Sequence, residues 1–481
     1  MATHEATQRF SERYGRMRTL AGEVREHEPA LPEYALQCVW YDHLFSEDGL
    51  ATEEGHRLRV ISPGWWNTQE GPDFRGAQVE FNGEVFTGDV EIHTEQSGWR
   101  AHGHHLDARY DGVILHVVLH AGAGAPPITS EGRLIPTLTL DRRLDGDLRL
   151  LSELGPPEDY PYEAEASSGA CAALAAEHGL EPLAQFLELA GEWRMLNKAR
   201  ALRQRMEHAG ADQALYEDLM YACGFGRFKH HFRAIARHLP YDRVRQLAQD
   251  DPMLLEAALL QIAGLLPENL PEGTGAAPHF ARLRSLRRDR LAGLKHLPLT
   301  WQRTGIRPVN NPERRLAGIA RFLARTSSEG LAASLDRIWK MDFKPIERRR
   351  AFEELFPRPL GFWATHCTWT GKKMTHPVAP IGAGRVRSII GNVFVPAALA
   401  QARRRRNRTW EENVLAFFTA LPKEPDNHII KSMLARVQPP GEKLRLNFRR
   451  QQGLIQVYHD WCYPNPSCRS CSVLRFLRPQ E

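Results

Sequence analysis

Residues 71–93 read GPDFRGAQVEFNGEVFTGDVEIH, and this stretch decides the architecture of the N-terminal part of the chain. Two short strand-like runs, AQVEF (77–81) and VFTGDVEIH (85–93), flank Asn82-Gly83. That pair accepts the positive φ angles of a two-residue turn, so the stretch is predicted to form a β-hairpin. Side chains alternate faces along a strand, which puts Val90 and Ile92 on one face and Asp89, Glu91 and His93 on the other. Asn82-Gly83 is nearly midway between Asp73 and Glu91, so the hairpin carries Asp73 back toward Glu91. Two carboxylates so placed make a hard-oxygen site for Mg2+ or Mn2+. The plain structural alternative is a turn at Gly71-Pro72 with the charges facing solvent.

Working outward, PEYALQCVWYDHLF (32–45) carries apolar residues at Leu36, Val39, Trp40, Leu44 and Phe45, a helical spacing with Pro32 suited to the first turn. The segments LRVI (58–61), VILHVVLH (113–120) and LIPTLTL (134–140) read as further strands. The predicted order is a helix, three meandering strands, a short polar or helical link, then more strands. GPPEDYPYEAEASSGA (155–170) marks a linker. Beyond it, 183–206, 216–239 and 252–266 show apolar residues at three- and four-residue spacing. In NNPERRLAGIARFLART, Asn311 suits an N-cap and Pro312 the first helical position, with Leu316, Ile319, Ala320 and Leu323 as one apolar stripe. The fold class is therefore mixed α+β: an α/β domain over residues 1–160, a mainly helical and basic region over 171–450, and a cysteine-containing tail over 451–481.

A chain of 481 residues with 42% apolar content supports more than one core. Roughly two to four domains are expected. The N-terminus lacks the apolar core of a leader, and no later run approaches the about 18 apolar residues of a membrane span. A soluble cytoplasmic protein with no membrane partner is expected. Seven cysteines, four of them scattered singly, do not make a secreted disulfide framework.

Three groups of residues carry further chemistry. WRAHGHHLDARYDGVILHVVLH (99–120) adds His102, His104, His105, Asp107 and His116 near the acidic strand. Three histidines and an acid satisfy zinc, so His93, His102, His104 and Asp107 make an alternative hydrolytic centre, although each taken singly reads as a structural or surface histidine. His459, Cys462, Cys468 and Cys471 form a second metal candidate, for zinc or an iron–sulfur cluster, in which a distant Cys171 or Cys367 can replace His459. A small reduced turn at Pro464 and Pro466 is the bland reading there. Arg282, Arg284, Arg287, Arg288, Arg290 and Lys295 form one cationic run, and Arg403, Arg404, Arg405, Arg406 and Arg408 another. Both suit phosphate contacts with nucleic acid, and both also read as solvated helix faces. Phe228 and Phe232, set among basic residues, read as core contacts rather than base-stacking platforms.

Pro72-Asp73, the step of 18 residues to Glu91, and Glu91-Ile92-His93 together resemble the PD-(D/E)XK nuclease pattern. The resemblance implies a PD-(D/E)XK-like α/β domain in which Asp73 and Glu91 bind Mg2+ or Mn2+. His93 stands where that family has its lysine, and a histidine can still orient water, contact phosphate or act as a base. The preceding helix fits the family order and offers Glu33 as a further acid, which beside Pro32 is also a favourable first-turn charge. The three C-terminal cysteines joined by a distant one resemble iron–sulfur nucleases that clasp their two ends with cysteines. More broadly, LQCVWYDHLF, GPDFRGAQVEF, GDVEIHTEQSGWRAHGHHLDARYDGVILHVV, RPVNNPERRLAGIARFL and QQGLIQVYHDWCYPNPSCRSC resemble an uncharacterised bacterial family, domain of unknown function 2851, over nearly the whole chain. That family carries no established activity. Three readings stand: a metal-dependent endo- or exonuclease on DNA or RNA; a catalytically inactive nuclease fold that binds nucleic acid or partners; and a zinc-dependent hydrolase.

Overall fold

The computed structural model describes the chain apart from residues 1–9, 21–32, 42–44, 47–48, 68–70, 123, 142, 145–168, 271–276, 300, 302, 304–305, 426–427, 463–467, 469–470 and 479–481. Pro32, the linker up to residue 168, and Pro464 with Pro466 therefore lie outside the described residues. The chain divides into two compact units, one over 22–165 and the other over 166–481 together with 1–21.

In the first unit, helix α2 (Glu33–Tyr41) precedes strands β1 (Leu58–Ser62), β2 (Trp65–Trp66), β3 (Phe74–Phe81) and β4 (Glu84–Glu95); helix α1 (Arg13–Leu20) belongs to the second unit. A short helix α3 (Gly98–Ala101) and two 3-10 turns then lead to β5 (Val113–His120) and β6 (Thr137–Thr139). The sheet runs β1-β3-β4-β5-β6, with β2 also paired to β3. The β1, β3 and β4 pairings are antiparallel, whereas β4, β5 and β6 are parallel. Asn82 at φ 51° and Gly83 at φ 95° make the two-residue turn, closing β3 onto β4 with Phe81 opposite Glu84.

Burial changes along β4. Its first residues are exposed, Val85 and Phe86 included, while Val90, Glu91, Ile92 and His93 are buried. Val90 and Ile92 join Leu36, Val39 and Trp40 of α2 and Leu115 and Val117 of β5 in one apolar core. Each such side chain contributes about 1.5–3 kcal/mol on full burial, and Trp40 also donates its indole N–H to the Pro63 carbonyl at 3.1 Å. The opposite face of β4 is also covered. Glu91 is 5% exposed and His93 1%, so the solvent-facing alternative does not hold for them.

The second unit is almost wholly helical, as the spacing predicted, with two apolar cores. Phe228 and Phe232 are core residues. Two segments sit differently from the sequence reading. Helix α1, assigned there to the first domain, packs on this unit: Tyr14 is buried, donates to Asp460 at 2.9 Å and accepts from the Trp461 indole. The start of the supposed tail is core, because helix Phe448–Val457 buries Leu454 and Ile455 against helix Leu180–Ala209. These two helices touch backbone to backbone. A Cβ on Gly453 would strike the Leu187 carbonyl, and one on Gly191 the Arg449 carbonyl.

Neither backbone can yield as a flexible side chain does. Gly453→Ala is therefore expected to lower the unfolding free energy by about 1–3 kcal/mol in denaturant titration; an unchanged midpoint would show that the helices are not held at this distance.

Candidate metal centre

Asp73 and Glu91 meet across the β3–β4 pair through a reciprocal clasp. The Asp73 N–H donates to Glu91 Oε2 at 3.0 Å, and the Ile92 N–H donates to Asp73 Oδ2 at 3.0 Å. The clasp lies one residue beyond the Phe74–Val90 pair, at the entry to β3, and the register irregularity falls on the other side of that pair, between Phe74 and Ala77. Gln37, one turn after Glu33 on α2, donates to Asp73 Oδ1 at 2.7 Å. Sequence reasoning missed Gln37; its i,i+4 relation to Glu33 was the available signal.

The second oxygen of Glu91 opens onto imidazoles. Oε1 lies 3.1 Å from His104 Nε2 and 3.8 Å from His93 Nε2. The His104 contact is short but lacks hydrogen-bonding alignment, so Nε2 is buried and unpartnered although a carboxylate oxygen adjoins it. His93 pairs at Nδ1 with His116 Nε2 at 2.8 Å and at Nε2 with exposed His102 Nδ1 at 3.1 Å. A neutral imidazole carries one N–H, so the three rings form a chain with a single direction of donation. The ligand atoms of His93, His102 and His104 all lie within 4.8 Å of one another. Metal–nitrogen bonds of about 2.0–2.1 Å place tetrahedral donors about 3.3–3.4 Å apart. For the individual pairs Glu91–His104, His93–His102 and Glu91–His93 the separations of 3.1 Å, 3.1 Å and 3.8 Å lie on either side of that value.

Aromatic packing fixes the rings. Tyr110 stacks on His104 with 3.8 Å between centroids, and Trp99 meets His104 and His116 edge-on. Gly98, at the start of α3, leaves room for His93, because a Cβ there would come within 2.5 Å of the imidazole.

Glu33, Asp73, Glu91, His93, His104 and His116 are each driven toward neutrality. Burial raises Glu91 to about 8, against a backbone hydrogen bond from Asp73 and with a further push from Glu33. Burial and then Asp73 raise Glu33 to about 7. Asp73 is held well above its ordinary value by burial and then by Glu91. Burial, helped by His116, His102 and His104, lowers His93 to about 2, and burial with His104 lowers His116 to about 3. Burial likewise lowers His104.

Two predicted ligands are engaged elsewhere. Asp107 caps a 3-10 turn through the Arg109 N–H and grips the Arg109 guanidinium at 2.6 Å, which holds its carboxyl below the usual range. Asp89 accepts the Gly76 N–H at 3.0 Å, at the register irregularity in β3. In the zinc alternative, Glu91 therefore replaces Asp107 as the acid beside the histidines. The C-terminal group also changes membership. His459 is half-buried, meets Tyr458 edge-on and does not line the cavity around which Cys171 joins Cys462, Cys468 and Cys471; Cys367 instead contacts Met374.

The cationic runs are largely paired within the helical unit. Arg282 bonds Asp251, Arg287 bonds Glu268, Arg288 bonds Asp289 and Arg290 bonds Asp250. Arg403 bonds Glu411 and Glu12, Arg405 bonds Asp336, and Arg404 bonds Gln401. Arg284 and Arg406 are exposed. Much of the charge offered to phosphate by the sequence is thus spent on holding helices together.

The chain is a mixed sheet-and-helix unit carrying a buried carboxyl–imidazole cluster, followed by a helical unit. Residues 33–427 match the family model described as Protein of unknown function (DUF2851), and the chain belongs to that family. No curated protein and no solved structure matches it. Among the described residues no helix is long and apolar enough to cross a membrane.

The shifts fix a pH dependence for the metal-free protein. Glu91 binds its proton up to about pH 8 in the fold but only to about 4.5 when unfolded, so stability falls as pH rises through that window. His93 and His116 stay neutral in the fold while the unfolded chain takes up protons below 6.5, so stability also falls on acidification from there. With a chelator present, hydrogen-exchange protection at β4 and β5, taken relative to the intrinsic exchange rate at each pH, should be greatest at mildly acidic pH, and Mn2+ should restore protection on the alkaline side. Protection that climbs steadily to pH 8 without metal would contradict these assignments.

Proposed function

We propose that the N-terminal unit is a divalent-metal-dependent hydrolase of phosphodiesters, a nuclease by class, acting on DNA or RNA. The observation that carries this reading is the Glu91 carboxylate, whose Oε2 is held by the Asp73 N–H while Oε1 opens onto His104 and His93. Buried acids and buried neutral imidazoles around one point are costly as they stand. A divalent cation reverses that cost, since it stabilises the carboxylates as anions and takes up the nitrogen lone pairs. The mixed oxygen and nitrogen donors favour Mn2+ over Mg2+, which prefers oxygen alone. The order of helix, antiparallel strands, helical link and parallel strand agrees with the PD-(D/E)XK resemblance and supports a phosphodiester as substrate.

When bound, the metal would lower the pKa of a coordinated water and neutralise charge on the phosphate. Asp73 and Glu91 supply the anionic side of the centre, with Gln37 fixing the Asp73 carboxylate. Glu33, with a carboxyl that titrates near 7, exchanges a proton with water or the leaving oxygen at neutral pH. His93 does not replace the cationic lysine, because it is neutral; its Nε2 faces the centre and His116 orients its ring from the other side. A second reading, a zinc-dependent hydrolase, is favoured by one observation, the three imidazoles within 4.8 Å.

Cleavage of single- and double-stranded DNA and RNA, measured with Mn2+, Mg2+ or Zn2+, decides among the readings. Mn2+-dependent cleavage is expected in the wild type and lost in Asp73→Asn and Glu91→Gln. Glu33→Gln should be about 100-fold slower or more at pH 7. Cleavage unchanged by Asp73→Asn and Glu91→Gln would remove the site. Binding without cleavage would favour the inactive nucleic-acid-binding reading, and zinc-only hydrolysis of other esters the zinc reading.

A further inference from the structure

Four of the seven cysteines, none in a disulfide, converge in the helical unit from opposite ends of its sequence. Cys171 lies in the first turn of helix Ala170–His178, Cys462 closes the π-helical turn Tyr458–Cys462, and Cys468 and Cys471 follow. All four line the same cavity, whose other walls are Arg436, Trp461 and aliphatic side chains. The approach is close, because a Cβ on Gly169 would lie 3.3 Å from Cys468 Sγ and meet the Arg436 side chain. The Gly169 N–H also donates to the Arg436 carbonyl at 2.8 Å, which fixes the start of the Cys171 helix against helix His428–Val437.

We propose that Cys171, Cys462, Cys468 and Cys471 hold one soft metal centre through four thiolates, closing the C-terminal segment onto the first helix of the unit. Four sulfur donors around one point select zinc or an iron–sulfur cluster over hard cations. The Cys468-x2-Cys471 step is the spacing with which one short turn presents two sulfurs to one metal. Coordination replaces four S–H bonds with metal–sulfur bonds and sends four protons to solvent; zinc stays divalent throughout, and a cluster takes up sulfide together with iron supplied in both ferrous and ferric form, so that no further oxidant is needed. A zinc ion with four thiolates carries a net double negative charge, and Arg436, which hydrogen-bonds Cys462, partly offsets it. The centre spans nearly the whole helical unit in sequence, so it acts as a staple against loss of the C-terminal segment.

The test uses the full chain, purified without oxygen and analysed for zinc, iron and acid-labile sulfide. One equivalent of zinc, or iron with sulfide and a visible absorption that bleaches on reduction, is expected in the wild type; the two results distinguish ion from cluster. That content should disappear in Cys171→Ser and Cys468→Ser and persist in Cys367→Ser. It should also persist in His104→Ala, which keeps this result separate from the N-terminal centre. Chelation of the wild type should expose four additional reactive thiols, a readout that does not depend on the variants folding. Metal absent from the wild type, undiminished in Cys171→Ser, or removed without new reactive thiols would overturn the proposal.

Discussion

The N-terminal unit depends on two hydrogen bonds of 3.0 Å, from Asp73 N–H to Glu91 and from Ile92 N–H to Asp73. They tie β4 to the residue that leads into β3, just beyond the Phe74–Val90 pair. The same bonds hold the half-buried Asp73 carboxyl beside the buried Glu91 carboxyl. Because backbone N–H groups define the geometry, the acids cannot rotate away from each other without giving up these hydrogen bonds. The strand pairing and the polar cluster are thus one construction: β4 puts Val90 and Ile92 into the core and presents Glu91 and His93 on its other face.

The electrostatics follow from that placement. Buried acids shift up and buried imidazoles shift down, so Glu33 and Glu91 titrate at about 7 and about 8, while His93 and His116 are neutral throughout that range. Mutual ion pairing is not the resolution, since His104 Nε2 and Glu91 Oε1 adjoin without an aligned hydrogen bond. A divalent cation, as proposed, would satisfy both sets at once. The hydrogen bond between His93 and His116 and the stacking of Tyr110 on His104 hold the rings in place.

Much of this was legible in the sequence, where local rules apply. Asn82-Gly83 and the alternation about it specify the hairpin, and the hairpin brings Asp73 to Glu91. The fate of Asp107 was also locally encoded, as an acid two residues before an arginine at a turn. What was not legible depends on partners far apart in the chain. Arg290 meets Asp250 and Arg405 meets Asp336 only after helices pack, so a cationic run in the sequence becomes a set of ion pairs in the fold. Cys171 and Cys462 are likewise brought together by helix packing, and no local pattern distinguished Cys171 from Cys367. His93 shows a third limit: its position was readable, whereas its neutrality comes from burial and from three other histidines, His116 on β5 and His102 and His104 in the link before it.

The account rests on a metal held jointly by Glu91 and imidazole nitrogen. Pulsed electron paramagnetic resonance on Mn2+-loaded protein reads that directly. Nitrogen modulation from coordinated imidazole, weakened in His104→Ala and lost when His93 is replaced as well while manganese stays bound to the carboxylates, is the predicted result. Bound manganese with oxygen and water couplings alone, unchanged by either substitution, would contradict the account.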